Sequence, residues 1–226
     1  MYNICLVEDE VDLNNLIKTY LEKAGYNVVQ FTKGEEAISY VKEPVDLWIL
    51  DIMLGDDVNG YDIIKAIREN DYTVPVIFTS ARDQDLDKII GLELGSDDYI
   101  TKPYSPKELV LRVNNIIKRV YKSKNEQVTI YSDYKIDKNK RLVFLNDKEI
   151  KLTTLEFDLL LILLNNIDKS FSREELLNLV WGQDYFGSDR AVDDLVRRLR
   201  GKMPKLNIST IYGYGYRLSW SILHLP

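Results

Sequence analysis

The chain has 226 residues, 30 Lys and Arg against 36 Asp and Glu, and 45 % hydrophobic content, enough apolar surface for one or two packed domains and too much for a disordered chain. One cysteine, Cys5, and one histidine, His224, exclude an intrachain disulfide, a Cys/His zinc site and a hydrolase built on an internal histidine. The start, MYNICLVEDE, shows no basic leader, and the longest strongly apolar run, Leu159 to Leu164, is too short to span a bilayer, so a cytoplasmic protein with no membrane partner is expected.

Taken in chain order, short apolar runs first alternate with amphipathic stretches at helical spacing. Strands are predicted at Asn3 to Val7, Asn27 to Phe31, Leu47 to Asp51, Val76 to Ser80 and Asp98 to Thr101. Helices are predicted near Asp12 to Ala24, Glu35 to Val41, Tyr61 to Asn70 and Gln84 to Leu94. This is the pattern of a parallel sheet with helices on both faces. A fifth helix follows, with Ser105 as N-cap, Pro106 at the first helical position and Glu108 completing a capping box. Tyr121 to Gln127 is polar and without periodicity, a linker. Beyond it, Val128 to Ile150 reads as short antiparallel strands. Three helices then begin at Thr153-x-x-Glu156, at Ser172-x-x-Glu175 and at Arg190, the last reaching Lys202. A hairpin closes the chain, Ile208 to Tyr212 and Tyr216 to Trp220 around Gly213-Tyr214-Gly215. Charge divides along the same line: residues 1 to 120 carry net −9 and residues 121 to 226 net +3, so the halves suit different partners, cations for the first and a polyanion for the second.

In a parallel open sheet, ligands bind where strand C-terminal ends meet the following loops. Glu8 and Asp9 end the first strand, Asp51 the third and Ser80 the fourth, and Lys102 follows the fifth. One Asp-rich strand end is ordinarily a cap or a solvated turn; five polar groups at successive strand ends form a site. Three carboxylates brought together repel, which a hard, oxygen-seeking cation such as Mg²⁺ relieves.

The segments LVEDE (Leu6 to Glu10), LDIML (Leu50 to Leu54), TSARD (Thr79 to Asp83) and GSDDYITKPYSPKEL (Gly95 to Leu109) resemble the response regulators of two-component signalling, and specifically the OmpR/PhoB-type transcription factors. The resemblance spans essentially the whole chain. It implies a flavodoxin-like receiver of five parallel strands over residues 1–120, a linker at 121–127, and a winged helix-turn-helix effector domain over 128–226. It further implies Asp51 as phosphoacceptor, with Mg²⁺ held by Glu8, Asp9, Asp51 and the backbone carbonyl of Met53. Ser80 and Tyr99 match the switch pair, Lys102 the phosphoryl-pairing lysine, and the Lys102-Pro103 bond is expected to be cis. Lys88, Asp98, Glu108 and Arg112, around Ile89, Leu92 and Val110, match a two-fold dimer face; Asn114 stands where one basic dimer partner is expected. The implied partners are a sensor histidine kinase, promoter DNA, a second copy on phosphorylation, and RNA polymerase.

Phosphoryl transfer to a carboxylate needs an in-line nucleophile and neutralised equatorial oxygens. Mg²⁺, Lys102 and the Ser80 hydroxyl suit that task. A Mg²⁺-dependent phosphohydrolase would want an acid/base carboxylate two residues after the nucleophile, where Met53 stands. The alternative within the family is a regulator that binds DNA constitutively and uses its receiver as a dimerisation module.

SREELLNLVWG (Ser172 to Gly182) and DRAVDDLVRRLRGK (Asp189 to Lys202) resemble the family's effector helices. By that resemblance Arg190, Arg197, Arg198 and Arg200 are assigned to DNA, since an α-helix fits the major groove and arginine pairs with guanine or phosphate. Asp194 departs from the neutral residue common there and is placed at the interface, accepting from cytosine N4 or orienting an arginine. Thr153 and Thr154 can offer helix-start amides to phosphate, although capping alone explains them. IYGYGYRL resembles the wing, with Tyr216 and Arg217 near the sugar-phosphate backbone and Tyr212 where many members carry a minor-groove arginine. Gly55 replaces the usual proline in the loop after Asp51 and frees the backbone there.

Overall fold

The computed structural model describes residues 1–55, 57–81, 91, 93–121, 128–182 and 190–220. The chain divides into two compact units, Met1–Lys122 and Ser123–Pro226. Among the described residues, no helix is long and apolar enough to cross a membrane.

The first unit is a five-stranded parallel sheet: β1 (Asn3–Val7), β2 (Asn27–Phe31), β3 (Leu47–Asp51), β4 (Val76–Ser80) and β5 (Asp98–Thr101), in the spatial order β2-β1-β3-β4-β5. All five match the predicted bounds; β3 and β4, buried at every position, read as nearly unbroken apolar runs, as strands covered on both faces do. Alternate side chains sort to opposite faces. Ile4 and Leu6 pack with Leu47 and Ile49 beneath α1 (Val11–Lys23) and α4 (Pro106–Tyr121), through Ile17, Leu21, Leu109 and Val113. Cys5 and Val7 pack with Trp48 and Leu50 beneath α2 (Gly34–Ser39) and α3 (Gly60–Asn70), through Ala37, Ile63, Ile64 and Ile67.

Helix starts show what the sequence patterns hid. Asn59 caps α3, accepting from the amides of Tyr61 and Asp62 at 2.9 and 3.1 Å. At α4, Pro106 takes the first helical position, but the predicted capping box does not close. Ser105 Oγ accepts from the Lys107 amide at 3.3 Å, while the Glu108 carboxylate turns to Arg112. A guanidinium one turn ahead competes with a single backbone amide, and the charge-assisted bond wins. The expected helix from Gln84 lies largely outside the described residues, as do Lys88, Ile89, Leu92, His224 and linker residues 122–127.

The second unit opens with an antiparallel sheet, β6 (Val128–Tyr131), β7 (Tyr134–Asp137), β8 (Leu142–Leu145) and β9 (Lys148–Ile150), paired in sequence order. Three helices follow: α5 (Thr154–Leu164), α6 (Arg173–Trp181) and α7 (Arg190–Lys202). Both predicted capping boxes at α5 and α6 are present. The closing hairpin, β11 (Ile208–Ile211) and β12 (Gly215–Leu218), gains a third strand that the sequence did not announce. This is β10 (Ser170–Ser172), which pairs antiparallel with β12. Three residues running straight into the α6 cap are too few to show a strand period.

Gly60 positions the first unit's loop. A Cβ there would stand 2.4 Å from the Asp51 carbonyl oxygen and 2.9 Å from Ile52 Cα, so only glycine lets α3 start against the end of β3. Gly60→Ala is expected to cost about 1 to 3 kcal/mol by overpacking against fixed backbone. Urea unfolding checks this, and an unchanged midpoint refutes the contact.

Candidate functional site

The strand order reverses between β1 and β3, and their C-terminal ends flank the crevice where open α/β sheets bind ligands. Glu8 and Asp51 are buried there and Asp9 is exposed beside them. Oxygens of all three lie within 4.8 Å of one another. Lys102, directly after β5, reaches across: its Nζ lies 2.7 Å from both Glu8 oxygens and 2.6 Å from Asp51 Oδ2. The other Asp51 oxygen, Oδ1, accepts from the Met53 amide at 2.9 Å. The Lys102-Pro103 bond is cis, as expected.

Electrostatics follow from this crowding. Burial pushes the Glu8 carboxyl up to about 7, with Asp51 adding to the shift and the Lys102 bond opposing it. Burial alone would lower the Lys102 ammonium, but its bonds to Asp51 and Glu8 outweigh that and hold it above the usual lysine value. One ammonium offsets one of three carboxylates. The donor set is therefore short of positive charge and made wholly of hard oxygens, which fits a hard divalent cation.

Two residues that the sequence reading passed over support the pocket. Asn14 on α1 is fully buried and donates to the carbonyls of Glu8 and Phe31 at 2.7 and 2.8 Å, tying the end of β1 to the end of β2. Its signal was present: Asn14 shares a helical stripe with Ile17 and Leu21. Tyr104 packs against the core beneath α1 and α4, and burial with the nearby Glu8 charge raises its phenol. A lone tyrosine after Lys102-Pro103 carries no such signal. A Cβ at Gly55 would stand 3.1 Å from Asp9 Oδ2, close enough that the carboxylate would have to shift by a few tenths of an ångström.

Ser80 ends β4 fully buried, and its carbonyl accepts from the Lys102 amide at 2.7 Å. Tyr99 is only 7 % exposed and packs in the cluster of Phe78 and Ile63. Among the expected dimer residues, Arg112 bonds within its own chain to Asp98 at 3.0 Å and to Glu108 at 2.7 Å. Burial raises the Asp98 carboxyl against the pull of Arg112. Val110 is half-buried against the core. Asn114 accepts from the Tyr26 hydroxyl, which gives that residue an intrachain role.

In the second unit, the structure divides the residues assigned to DNA. Arg190 is exposed, Arg197 is 62 % exposed, and the Tyr212 ring is 94 % exposed at the hairpin tip. Asp194 Oδ1 accepts from Arg197 Nη2 at 3.3 Å. The others face inward. Thr153 and Thr154 are buried: Thr153 Oγ1 caps the Glu156 amide, and its own amide donates to Glu156 Oε2 at 2.9 Å. Capping accounts for Thr153, and the Thr154 carbonyl accepts from Arg141 at 2.9 Å. Arg198 lies 3.9 Å from Glu156, a carboxylate 1 % exposed that Lys202 also holds at 2.6 Å. Arg200 donates to the Ile208 carbonyl at 2.8 Å and to Thr210 Oγ1 at 3.0 Å. Tyr216 is buried, its hydroxyl donating to Asp193 at 2.6 Å, and Arg217 is half-buried on the central strand of the small sheet. The periodicity of α7 placed Val192, Leu195, Val196 and Leu199 in the core; it carried no information on which flanking arginines meet the hairpin or α5.

Both units of the chain are similar to known proteins. The family "Response regulator receiver domain" matches residues 4–114, and "Transcriptional regulatory protein, C terminal" matches residues 147–218. The transcriptional regulatory protein CssR of Bacillus subtilis is 52 % identical over 223 residues, 96 % of this chain and 98 % of its own. The response regulator SaeR of Staphylococcus aureus is 36 % identical over 228 residues, 98 % of this chain and all of its own. Among solved structures, the response regulator DrrB of Thermotoga maritima, an OmpR/PhoB homolog, matches with a TM-score of 0.52 at 33 % identity over 97 % of this chain and 99 % of its own. The chain belongs to the response regulators of two-component signalling, in the OmpR/PhoB family, with a receiver followed by a DNA-binding transcription-regulatory domain.

The split among the α7 cations is measurable. Lys202→Met leaves the buried Glu156 short of a partner and is expected to cost about 1 to 3 kcal/mol, discounted because Lys202 is partly exposed. Arg197→Ala, on the surface, is expected to stay within about 0.5 kcal/mol of wild type. Equal losses in urea unfolding contradict the division.

Proposed function

We propose that Asp51 accepts a phosphoryl group from the histidine of a sensor kinase, that the phosphorylated receiver pairs with a second copy, and that the paired effector domains bind promoter DNA in the cytoplasm to regulate transcription, with RNA polymerase as a further partner. The carrying observation is the buried Glu8–Lys102–Asp51 cluster at the strand ends, with Lys102 Nζ 2.6 Å from Asp51 Oδ2. Residues outside such a site gain nothing from burying two carboxylates against one ammonium.

Asp51 is the nucleophile, and its two oxygens already have distinct surroundings, one on the Met53 amide and one on Lys102. Lys102 would transfer its contact to the phosphoryl oxygens, with the Ser80 hydroxyl as a second donor, so charge is met where it develops. Glu8, Asp9, Asp51 and the Met53 carbonyl would hold Mg²⁺, which when bound supplies the remaining neutralising charge. Tyr99 follows Ser80 as the switch residue. The dimer face is formed by Lys88, Ile89, Leu92, Asp98, Glu108, Val110 and Arg112, with Asp98, Glu108 and Arg112 exchanging intrachain partners for those of the second copy. Two effector domains on one duplex gain affinity through effective concentration without a new contact in either. Direct DNA contact falls to Arg190, Arg197 with its Asp194 guide, and Tyr212. Arg198, Arg200, Thr153, Thr154, Tyr216 and Arg217 hold that surface in shape.

Incubation with acetyl phosphate and Mg²⁺ is expected to add one phosphoryl group by intact mass and to shift the protein to a dimer, and neither change occurs in Asp51→Asn. No mass gain at any Mg²⁺ concentration would refute phosphorylation and favour constitutive DNA binding. Arg197→Ala is expected to lower affinity for duplex DNA and flatten its logarithmic salt dependence by about one unit; an unchanged slope removes Arg197 from the interface.

A further inference from the structure

At the edge of the first domain's sheet opposite the acid pocket, the chain leaves a cavity of about 550 Å³. It opens where β1, β3 and β4 begin, between the turn that precedes β3 and the turn that follows α3. Its floor is apolar: Trp48 and Val74 are buried, with Val41 and Val45 half-buried beside them. One wall is Tyr121, the last residue of α4. Its hydroxyl donates to the Asp46 carbonyl at 2.9 Å, and its ring centroid lies 5.1 Å from that of Tyr2. Small-molecule sites commonly have volumes of about 300 to 1,000 Å³ and join such an apolar floor to a few placed polar groups.

The rim supplies those groups, and it is acidic. Glu43, Asp46 and Asp71 stand there against one ammonium, Lys42. Each aspartate spends one oxygen inside the fold: Asp46 Oδ2 accepts from the Asn3 amide at 2.7 Å, and Asp71 Oδ1 from the amides of Thr73 and Val74 at 2.8 and 3.3 Å. The second oxygen of each accepts from no group among the described residues. Arg68, close in the chain to Asp71, turns its guanidinium onto the carbonyls of Val74 and Gly95 at 2.7 and 2.8 Å and leaves the rim unneutralised. Among the described residues only Glu8, Asp9 and Asp51 bring three carboxylate oxygens within 4.8 Å of one another, so the rim acids are too dispersed to share a metal ion.

We propose that this cavity binds a small organic amine, its ammonium paired with the rim carboxylates of Asp46 and Asp71 and its apolar or aromatic body laid over Val45, Val74 and Trp48. An ammonium has three hydrogens to place. Two open carboxylate oxygens and the Tyr121 ring, whose face attracts cations, receive them. An anion would meet three carboxylates, and a neutral molecule would cover them without pairing them. The site owes nothing to phosphoryl chemistry at Asp51, and failure of either reading leaves the other standing.

The test titrates the full chain with phenethylamine and follows backbone amide shifts by NMR. The amides of residues 41–48 and 70–74 are expected to shift saturably with a Kd of about 1 mM, as suits a ligand of about nine non-hydrogen atoms. The uncharged analogue 2-phenylethanol is expected to bind about tenfold more weakly or worse, and phenylacetate to give no shift there. The double variant Asp46→Asn/Asp71→Asn keeps an oxygen for the Asn3 and Thr73 amides but removes both charges. It is expected to lose about tenfold in affinity for phenethylamine at an unchanged melting temperature. Should that variant not fold, the comparison of the three ligands on the wild-type chain decides the matter. Equal binding of 2-phenylethanol or phenylacetate overturns the proposal, as does wild-type affinity in the folded double variant. The absence of a saturable shift well above 1 mM also overturns it, and so do shifts confined to the surroundings of Glu8, Asp9 and Asp51, which would place the amine in the acid pocket.

Discussion

Two carboxylates buried at neighbouring strand ends would repel each other strongly enough to open the sheet were it not for one ammonium set between them. Lys102 meets Glu8 and Asp51 together, and much of the first domain serves that meeting. The strand order brings β1 and β3 side by side, Asn14 holds the end of β1 against β2, and Gly60 lets α3 begin hard against Asp51. The residual negative charge is what makes the pocket receptive to a divalent cation and to the chemistry of a phosphoryl group.

The second domain solves a related problem differently. Glu156 is buried at the start of α5, where the helix dipole and the Thr153 amide favour a carboxylate. It draws Lys202 and Arg198 from α7 across the domain. A capping residue thereby becomes the anchor of the basic helix, and the outward arginines are left for a polyanion. Arg173, Asp193 and Tyr216 form a comparable brace between α6, α7 and the small sheet.

Strands β1, β3 and β4 were legible to the residue because each is an apolar run ended by a charged or hydroxyl side chain, and β2 and β5 because the same alternation of short apolar runs with helical stretches frames them. The acid pocket was legible because its members sit at those ends. What escaped needed three-dimensional neighbours. Nothing in SPKEL shows that Glu108 prefers Arg112 to its own cap, and nothing in VRRLRGK shows that Arg198 meets a carboxylate some forty residues earlier while Arg197 stays mostly exposed beside Asp194. Likewise β10 exists only because β12 returns to lie beside it. Periodicity reports which face is buried, not which partner waits there.

The order of residues along the chain adds a temporal consequence. Synthesis delivers the N-terminus first, yet β1 is interior to the sheet, and its Glu8 lies 94 positions ahead of the lysine that neutralises it. A nascent chain can bury Glu8 and Asp51 side by side, as the finished sheet does, only against their mutual repulsion until β5 and the turn bearing Lys102 have been made. The pocket is therefore complete only once the last strand has emerged, because the ion pair that neutralises its buried acids joins residues 94 positions apart.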